Sequence, residues 1–280
     1  MCVTCGCGDA GAVRVRVPGA TAPAAHSEPD DHAHEHPHGH EHGPEHVGDA
    51  DHRHPHDESR SAVPASATRT IDIEQELLAK NDSLAEQNRG WLADHRIAAI
   101  NLMSSPGSGK TSLLERTIKE AGGHRPVCVV EGDQETLFDA ERIRATGASV
   151  VQVNTGAGCH LDADMLRRGI ESLDPPDGSL LLVENVGNLV CPALFDLGES
   201  GKVVVISVTE GDDKPLKYPH MFAAADLIVI NKIDLLPYVD FDTARCERDA
   251  RSLNPEVETL QLSVKSGAGM DSWYRWLDRL

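Results

Sequence analysis

The stretch that most restricts what this chain can fold into begins at Ile97. A mostly apolar run, Ile97 to Met103, leads into Ser104-Ser105-Pro106-Gly107-Ser108-Gly109-Lys110-Thr111, and a helical pattern opens near Ser112-Leu113-Leu114. Glycines at 107 and 109 let the backbone curl so that its N–H groups point inward. The following helix N-terminus adds positive potential, Lys110 neutralises phosphate oxygens, and the Thr111 hydroxyl suits Mg²⁺. Ser105, Gly107, Ser108, Gly109, Lys110, Thr111 and Ser112 are therefore the expected phosphate-binding residues. Ser104 stands where the strict pattern asks for glycine, and the strand before and helix after compensate for that departure.

Beyond this loop, short apolar runs alternate with helical patterns: Val127 to Val130, Val150 to Val153, Leu180 to Val183, Val203 to Val208, Leu227 to Ile230 and Val257 to Leu262. Such alternation predicts an α/β fold of the P-loop NTPase kind over residues 95–280, a mostly parallel sheet with helices on both faces. Ligands on such sheets gather beyond the carboxyl ends of the strands. Asn231-Lys232-Ile233-Asp234 follows one of those ends and resembles the guanine-recognition motif of GTPases. A carboxylate at Asp234 can accept from both N1–H and the 2-amino group of guanine, a donor pair that adenine lacks. Asn231 is expected to touch the base edge or brace the phosphate loop, and the Lys232 stem to cover the ring. Ser263-Val264-Lys265 resembles the last base-contacting loop, which adds Ser263 and Lys265.

Two further strand ends carry acids. Glu131-Gly132-Asp133 follows Val130, and Glu184-Asn185-Val186-Gly187 follows Val183. In GTPases these places hold a carboxylate near Mg²⁺ and a glycine whose N–H senses the γ-phosphate, here Gly187. Asp133 is the preferred carboxylate near Mg²⁺, alongside Thr111. Glu184 stands where Asp is customary, and either acid could position water. Lys110, Asp133 and Glu184 are the expected catalytic groups. With no Gln or Arg placed to orient water, intrinsic turnover is expected to be slow.

The first third of the chain is different in kind. None of its 4 Phe, 3 Tyr and 3 Trp precedes Trp91. Residues 8–70 consist of Gly, Pro, Ala, Ser, acids and most of the 15 histidines, and they cannot bury enough apolar surface to offset chain entropy. They read as a disordered, metal-attracting tether, with imidazoles suited to nickel, zinc and copper. Residues 71–94 place Ile73, Leu77, Leu84, Trp91 and Leu92 at mostly helical spacing, a lead-in helix. At residues 1–7, Cys2, Cys5 and Cys7 can close around one ion without help from the fold. A planar set with a nitrogen would suit Ni²⁺ and a tetrahedral one Zn²⁺.

Forty-five acidic against 26 basic side chains give a net charge of −19, which argues against nucleic acid as a partner. The longest apolar runs fall far short of the roughly 18 residues needed to cross a bilayer. The N-terminus has no basic start followed by an apolar stretch, so the expected location is the reducing cytoplasm, where seven cysteines suggest metal ligands before disulfides. A second cluster follows strand ends: Cys159-His160 after a Gly-rich loop, and Cys191 four residues past Gly187. Two thiolates and one imidazole leave a coordination position open. A ligand so close to a phosphate sensor is expected to move when the nucleotide changes. Cys128 and Cys246 read as structural.

Taken together, the terminal cysteines, the His-rich tether, the phosphate loop, Glu131-Gly132-Asp133, Cys159-His160, Cys191, Gly211-Asp212-Asp213-Lys214-Pro215 and Asn231 to Asp234 resemble the HypB family of hydrogenase nickel-incorporation GTPases. The resemblance covers residues 71–280 and the extreme N-terminus. It implies a GTP/GDP-dependent homodimer that works with the metallochaperone HypA to deliver nickel to the large-subunit precursor of [NiFe]-hydrogenase. It also implies a high-affinity nickel site at Cys2, Cys5 and Cys7, a nickel or zinc site at Cys159, His160 and Cys191 near the dimer interface, and a contact from Lys214 to nucleotide or the other protomer. The related urease-accessory GTPase shares the phosphate loop, and the terminal cysteines and the Cys159-His160 pair favour the hydrogenase branch.

Overall fold

The computed structural model describes residues 14–17, 65–121, 125–133, 138–156 and 158–280. Residues 14–17 and 73–280 belong to one compact unit. Of a second unit, 21–72, only the first turns of a helix are described. Cys2, Cys5, Cys7 and the histidines of the expected tether lie outside the described residues. Among those residues, no helix is long and apolar enough to cross a membrane.

Eight strands form one sheet: β1 (Arg14–Arg16), β2 (Ala98–Ser104), β3 (Val127–Asp133), β4 (Ser149–Asn154), β5 (Leu180–Glu184), β6 (Gly201–Ser207), β7 (Leu227–Asn231) and β8 (Glu258–Gln261), in the order β1-β4-β3-β5-β2-β6-β7-β8. All neighbours run parallel except β1, which pairs antiparallel with β4. The expected α/β architecture is thus present, with each expected strand within a few residues of its place. Two elements exceed the expected bounds. Arg14–Arg16 is a strand inside the stretch expected to be disordered, because the alternation around Val15 lets that side chain pack on the core while Arg16 faces solvent. The lead-in helix α1 spans Ala65–Asp94 and so begins six residues before Ile71.

The remaining helices are α2 (Lys110–Ala121), α3 (Phe138–Arg144), α4 (Ala163–Leu173), α5 (Lys214–Lys217), α6 (Pro219–Ala223), α7 (Thr243–Leu253) and α8 (Met270–Leu277). Period-two alternation sorts the strand side chains between two layers. Ile100, Leu102, Val129, Leu182, Val205 and Val229 pack against α2, α3 and α8. On the other face, Val130, Val153, Leu181 and Val183 meet Leu92 of α1 and Leu166 and Ile170 of α4, while Val204, Ile206 and Ile230 meet α6 and α7. Helices on both faces explain why these strands read as continuous apolar runs rather than half-polar ones. Cys128 and Cys246 are buried within these layers, as expected of structural cysteines.

Chain direction reverses around β2: the chain passes from β2 to β3 on one side and from β5 across to β6 on the other. A crevice opens at such a switch point beyond the strand ends, and the phosphate loop occupies it.

Candidate functional site

The loop joins β2 to α2, with Lys110 as the first helical residue. Gly107 (φ 77°) and Gly109 (φ 98°) occupy the left-handed region, where a side chain is strained, and a Cβ on Gly109 would also strike the Asn231 amide. That amide holds the loop's shape. Asn231 Nδ2 donates to the Ser108 carbonyl at 2.9 Å, while its Oδ1 accepts from Lys232 N at 2.7 Å and Val264 N at 3.2 Å. Of the two expected roles for Asn231, the structure shows the brace. Lys232 adds a second brace, its Nζ donating to the Gly107 carbonyl at 2.7 Å. Ser263 Oγ donates to Asp234 Oδ1 at 2.6 Å, orienting the carboxylate expected to read the base. Lys265 is exposed at the rim, and Ser112 is half-buried in the first turn of α2. Ser108 Oγ is buried without a hydrogen-bond partner, as suits a hydroxyl placed to meet phosphate oxygen.

Ser104, the departure from the glycine pattern, has a local use: its buried hydroxyl accepts from Lys110 Nζ at 3.3 Å. Lys110 also lies 3.7 Å from Glu184 Oε1, and Thr111 Oγ1 donates to that same oxygen at 2.7 Å. Glu184 is therefore the carboxylate that touches the Thr111 hydroxyl. Asp133 lies at the end of β3, half-buried, opposite Asn154 in register. Glu131, which the sequence places in the Glu131-Gly132-Asp133 motif without giving it a role, pairs in register with Glu184 across β3 and β5. Both acids are buried, and Oε2 of each lacks a hydrogen-bond partner. Two buried carboxylates with orphaned oxygens beside a threonine hydroxyl fit a hard divalent cation such as Mg²⁺.

Burial pushes the Glu131 carboxyl up to about 9, reinforced by the nearby charges of Glu184, Asp139 and Asp133 and opposed by Lys110. Glu184 is likewise raised by burial, against the pull of Lys110 and Thr111. A raised acid binds more protons in the folded than in the unfolded state between its ordinary value near 4.5 and about 9. Stability of the nucleotide-free protein should consequently fall as pH rises through that window. Glu131→Gln should flatten the fall, as read from urea midpoints at pH 6 and pH 9; an unchanged slope would contradict it.

Glu210 is a second residue that motif reading passed over. It accepts a very short hydrogen bond from Ser105 Oγ, its Oε1 accepts from Ser207 N at 3.1 Å, and Lys214 Nζ lies 3.0 Å from its Oε2. Lys214 is thus linked to the phosphate loop through Glu210, and its Nζ also sits 5.2 Å over the Tyr218 ring.

The structure brings the three residues of the second cluster together. One ligand atom from each of Cys159, His160 and Cys191 lies within 4.8 Å of the others, with Cys159 Sγ 3.7 Å from His160 Nδ1. The loops after β4 and β5 bring them together across the end of β3. His160 is buried and stacked on Phe195, with ring centroids 3.9 Å apart. Burial lowers its pKa, opposed by Asp162, which favours the neutral imidazole that a metal needs. Asp162 also caps α4 through Met165 N at 2.8 Å, a contact contributing about 1 kcal/mol that fixes the chain just after His160. Gly187 lies against the phosphate loop: a Cβ there would stand 3.4 Å from Pro106 Cγ. The segment that starts at that contact reaches Cys191 four residues later.

Sheet order, loop and braces together define a P-loop nucleotide-binding protein that also gathers two thiols and an imidazole on the loops after β4 and β5. The family model "CobW/HypB/UreG, nucleotide-binding domain" matches residues 98–261. The chain is 55% identical to the hydrogenase maturation factor HypB of Azotobacter chroococcum over 222 residues, covering 79% of this chain and 73% of that one. It is 47% identical to HypB of Escherichia coli K12 over 288 residues, 99% of this chain and 98% of that one. Among solved structures, HypB of Archaeoglobus fulgidus superposes with a TM-score of 0.67 at 43% identity, covering 71% of this chain and 98% of its own. HypB of Helicobacter pylori in complex with nickel gives 0.67 at 38%, covering 71% and 94%. The chain belongs to the HypB family of hydrogenase maturation factors.

Proposed function

We propose that this protein hydrolyses GTP and uses the nucleotide state to change its grip on nickel, held by Cys159, His160 and Cys191, during insertion of the metal into the [NiFe]-hydrogenase large-subunit precursor. The observation that carries this reading is the short path from Pro106 through Gly187 to Cys191. A loop that shifts when a γ-phosphate arrives or leaves would move a thiolate ligand directly. The nickel complex of the Helicobacter relative supports nickel as the cargo, and the open coordination position left by two thiolates and an imidazole suits transfer rather than permanent retention.

In this reading Asp234, aided by Ser263 and Lys265, selects guanine, while Asn231 and Lys232 keep the phosphate loop in shape. Lys110 leaves Ser104 and Glu184 to meet the phosphates. Thr111 with Glu184 and Glu131 would hold Mg²⁺, which when bound neutralises charge developing between the β- and γ-phosphates. Asp133, nearer solvent on the same strand end, is left to position the attacking water. The active species is a nucleotide-dependent homodimer, with HypA and the hydrogenase precursor as partners in the cytoplasm. Cys2, Cys5 and Cys7 form a separate nickel or zinc site at the N-terminus, and zinc competes at the inner site.

Differential affinity is the physical requirement, since a nucleotide that binds both states equally shifts nothing. Nickel affinity can be measured on the full chain carrying Cys2→Ser, Cys5→Ser and Cys7→Ser, through thiolate-to-nickel absorption, to which imidazoles do not contribute. It should differ between GDP and a non-hydrolysable GTP analogue by several-fold or more, about 1–3 kcal/mol of coupling. Equal affinity and equal dimerisation in the two states would remove the proposal.

A further inference from the structure

Helix α1 has no role in the nucleotide or metal chemistry described above, yet two of its most buried side chains are asparagines, Asn81 at 5% exposure and Asn88 at 1%. Burying an amide costs free energy unless its partners are supplied, so the contacts of each matter. Asn81 Oδ1 accepts from Ala163 N at 2.9 Å, and its Nδ2 donates to the Asp196 carbonyl at 2.8 Å. Asn88 Nδ2 donates to the Ala163 carbonyl at 2.8 Å and to the Leu197 carbonyl at 3.0 Å.

Each asparagine therefore ties the same two pieces of chain to each other. Ala163 lies three residues beyond His160, and Asp196–Leu197 follows Cys191 by five and six residues, next to the Phe195 ring on which His160 stacks. Two further contacts press the helix onto the second piece. Arg89 Nη2 pairs with Asp196 Oδ2 at 2.7 Å, and a Cβ on Gly198 would collide with the Ala85 carbonyl and the Arg89 amide. No other polar side chain of α1 joins both segments among the contacts described.

We propose that α1 is the brace of the inner metal site, with Asn81 and Asn88 as positioning residues that hold the His160 and Cys191 segments at ligand distance from each other. This inference rests on Cys159, His160 and Cys191 being metal ligands. Partners one step removed from a metal set the orientation of its ligands, and their loss typically costs ten- to a hundredfold in affinity. The asparagines act here through backbone rather than through the imidazole, so the lower part of that range applies.

The test uses the full chain with Cys2→Ser, Cys5→Ser and Cys7→Ser, titrated with Ni²⁺ and followed by thiolate-to-nickel absorption, with GDP affinity measured in parallel. Asn81→Ala and Asn88→Ala should each weaken Ni²⁺ binding by about tenfold and shift the absorption band, leaving GDP affinity within twofold. Asn81→Asp keeps an acceptor for Ala163 N but sets a buried carboxylate oxygen against the Asp196 carbonyl, so it should weaken Ni²⁺ binding at least as much as alanine, and Asn81→Ala alone carries the test where Asn88→Ala fails to fold. Thr117→Val supplies the control for general loss of stability. It removes a buried hydroxyl that donates to the Leu113 carbonyl at 2.7 Å and accepts from Trp273 at 2.9 Å on the other face of the sheet, and it should leave the Ni²⁺ titration unchanged. Parent-like nickel binding in all the asparagine variants, or equal weakening in Thr117→Val, would overturn the brace. His160→Ala tests the underlying reading separately: if it too binds Ni²⁺ with parental affinity and spectrum, the ligand assignment fails first.

Discussion

Replacing Asp234 with asparagine should cut GDP affinity by two to four decades and create affinity for xanthosine diphosphate. The carboxylate offers two acceptors to the N1–H and 2-amino donors of guanine, and losing one charge-assisted hydrogen bond while opposing another donor costs about 3–6 kcal/mol in a dry site. Xanthine carries a carbonyl where guanine carries the amino group, so an asparagine amide complements it. Ser263 would still donate to the remaining oxygen at this position, as it does to Asp234 Oδ1, so the loop should keep its place. Equilibrium titration with fluorescent GDP and XDP checks this. If Asp234→Asn bound GDP as the parent does, Asp234 would not read the base and the assignment of GTP as substrate would lose its chemical ground.

The other large effect concerns the thiolates. Cys191→Ser, in the chain whose terminal cysteines are already serine, should weaken Ni²⁺ binding beyond the tenfold to hundredfold typical of outer partners, and Cys159→Ser should do the same. A serine hydroxyl is harder than a thiolate, is protonated at neutral pH, and makes a poor ligand for a borderline ion. Both cysteines are half-buried rather than enclosed in the apolar layers, so the substitution should shift the unfolding midpoint little. The contrasting pattern, a large stability loss with nickel affinity intact, would mean that these residues fill space rather than bind metal. Calorimetric Ni²⁺ titration together with thermal unfolding distinguishes the two.

Much of this arrangement is legible in the sequence. Parallel strands covered on both faces must be apolar throughout, so β2 to β8 announce themselves as short apolar runs. Fixed spacing does the same for Gly107 to Thr111 and Asn231 to Asp234. What escaped has identifiable causes. Glu131 belongs to the last residues of β3 rather than to the loop after it, and only the register across to Glu184 shows that two buried acids stand side by side. Glu210 acquires its role through Ser105, over a hundred residues earlier in the chain. Asn81 and Asn88 sit on the buried face of α1 beside Ala85 and Leu92, where apolar periodicity counts them as interruptions although their amides find backbone partners there. By contrast Cys159, His160 and Cys191 could be grouped from chemistry alone, since few surface loops place two thiols and an imidazole immediately beyond strand ends.

The short antiparallel strand at Arg14–Arg16 carries a practical warning. It occupies the hydrogen-bonding flank of β4, and a bare flank of that sort is a template onto which another polypeptide can add. Shortened forms that begin after residue 17 would uncover it, so their self-association could arise by strand addition and be mistaken for a nucleotide-driven pairing. Oligomer measurements on this protein should therefore keep the leading segment in place.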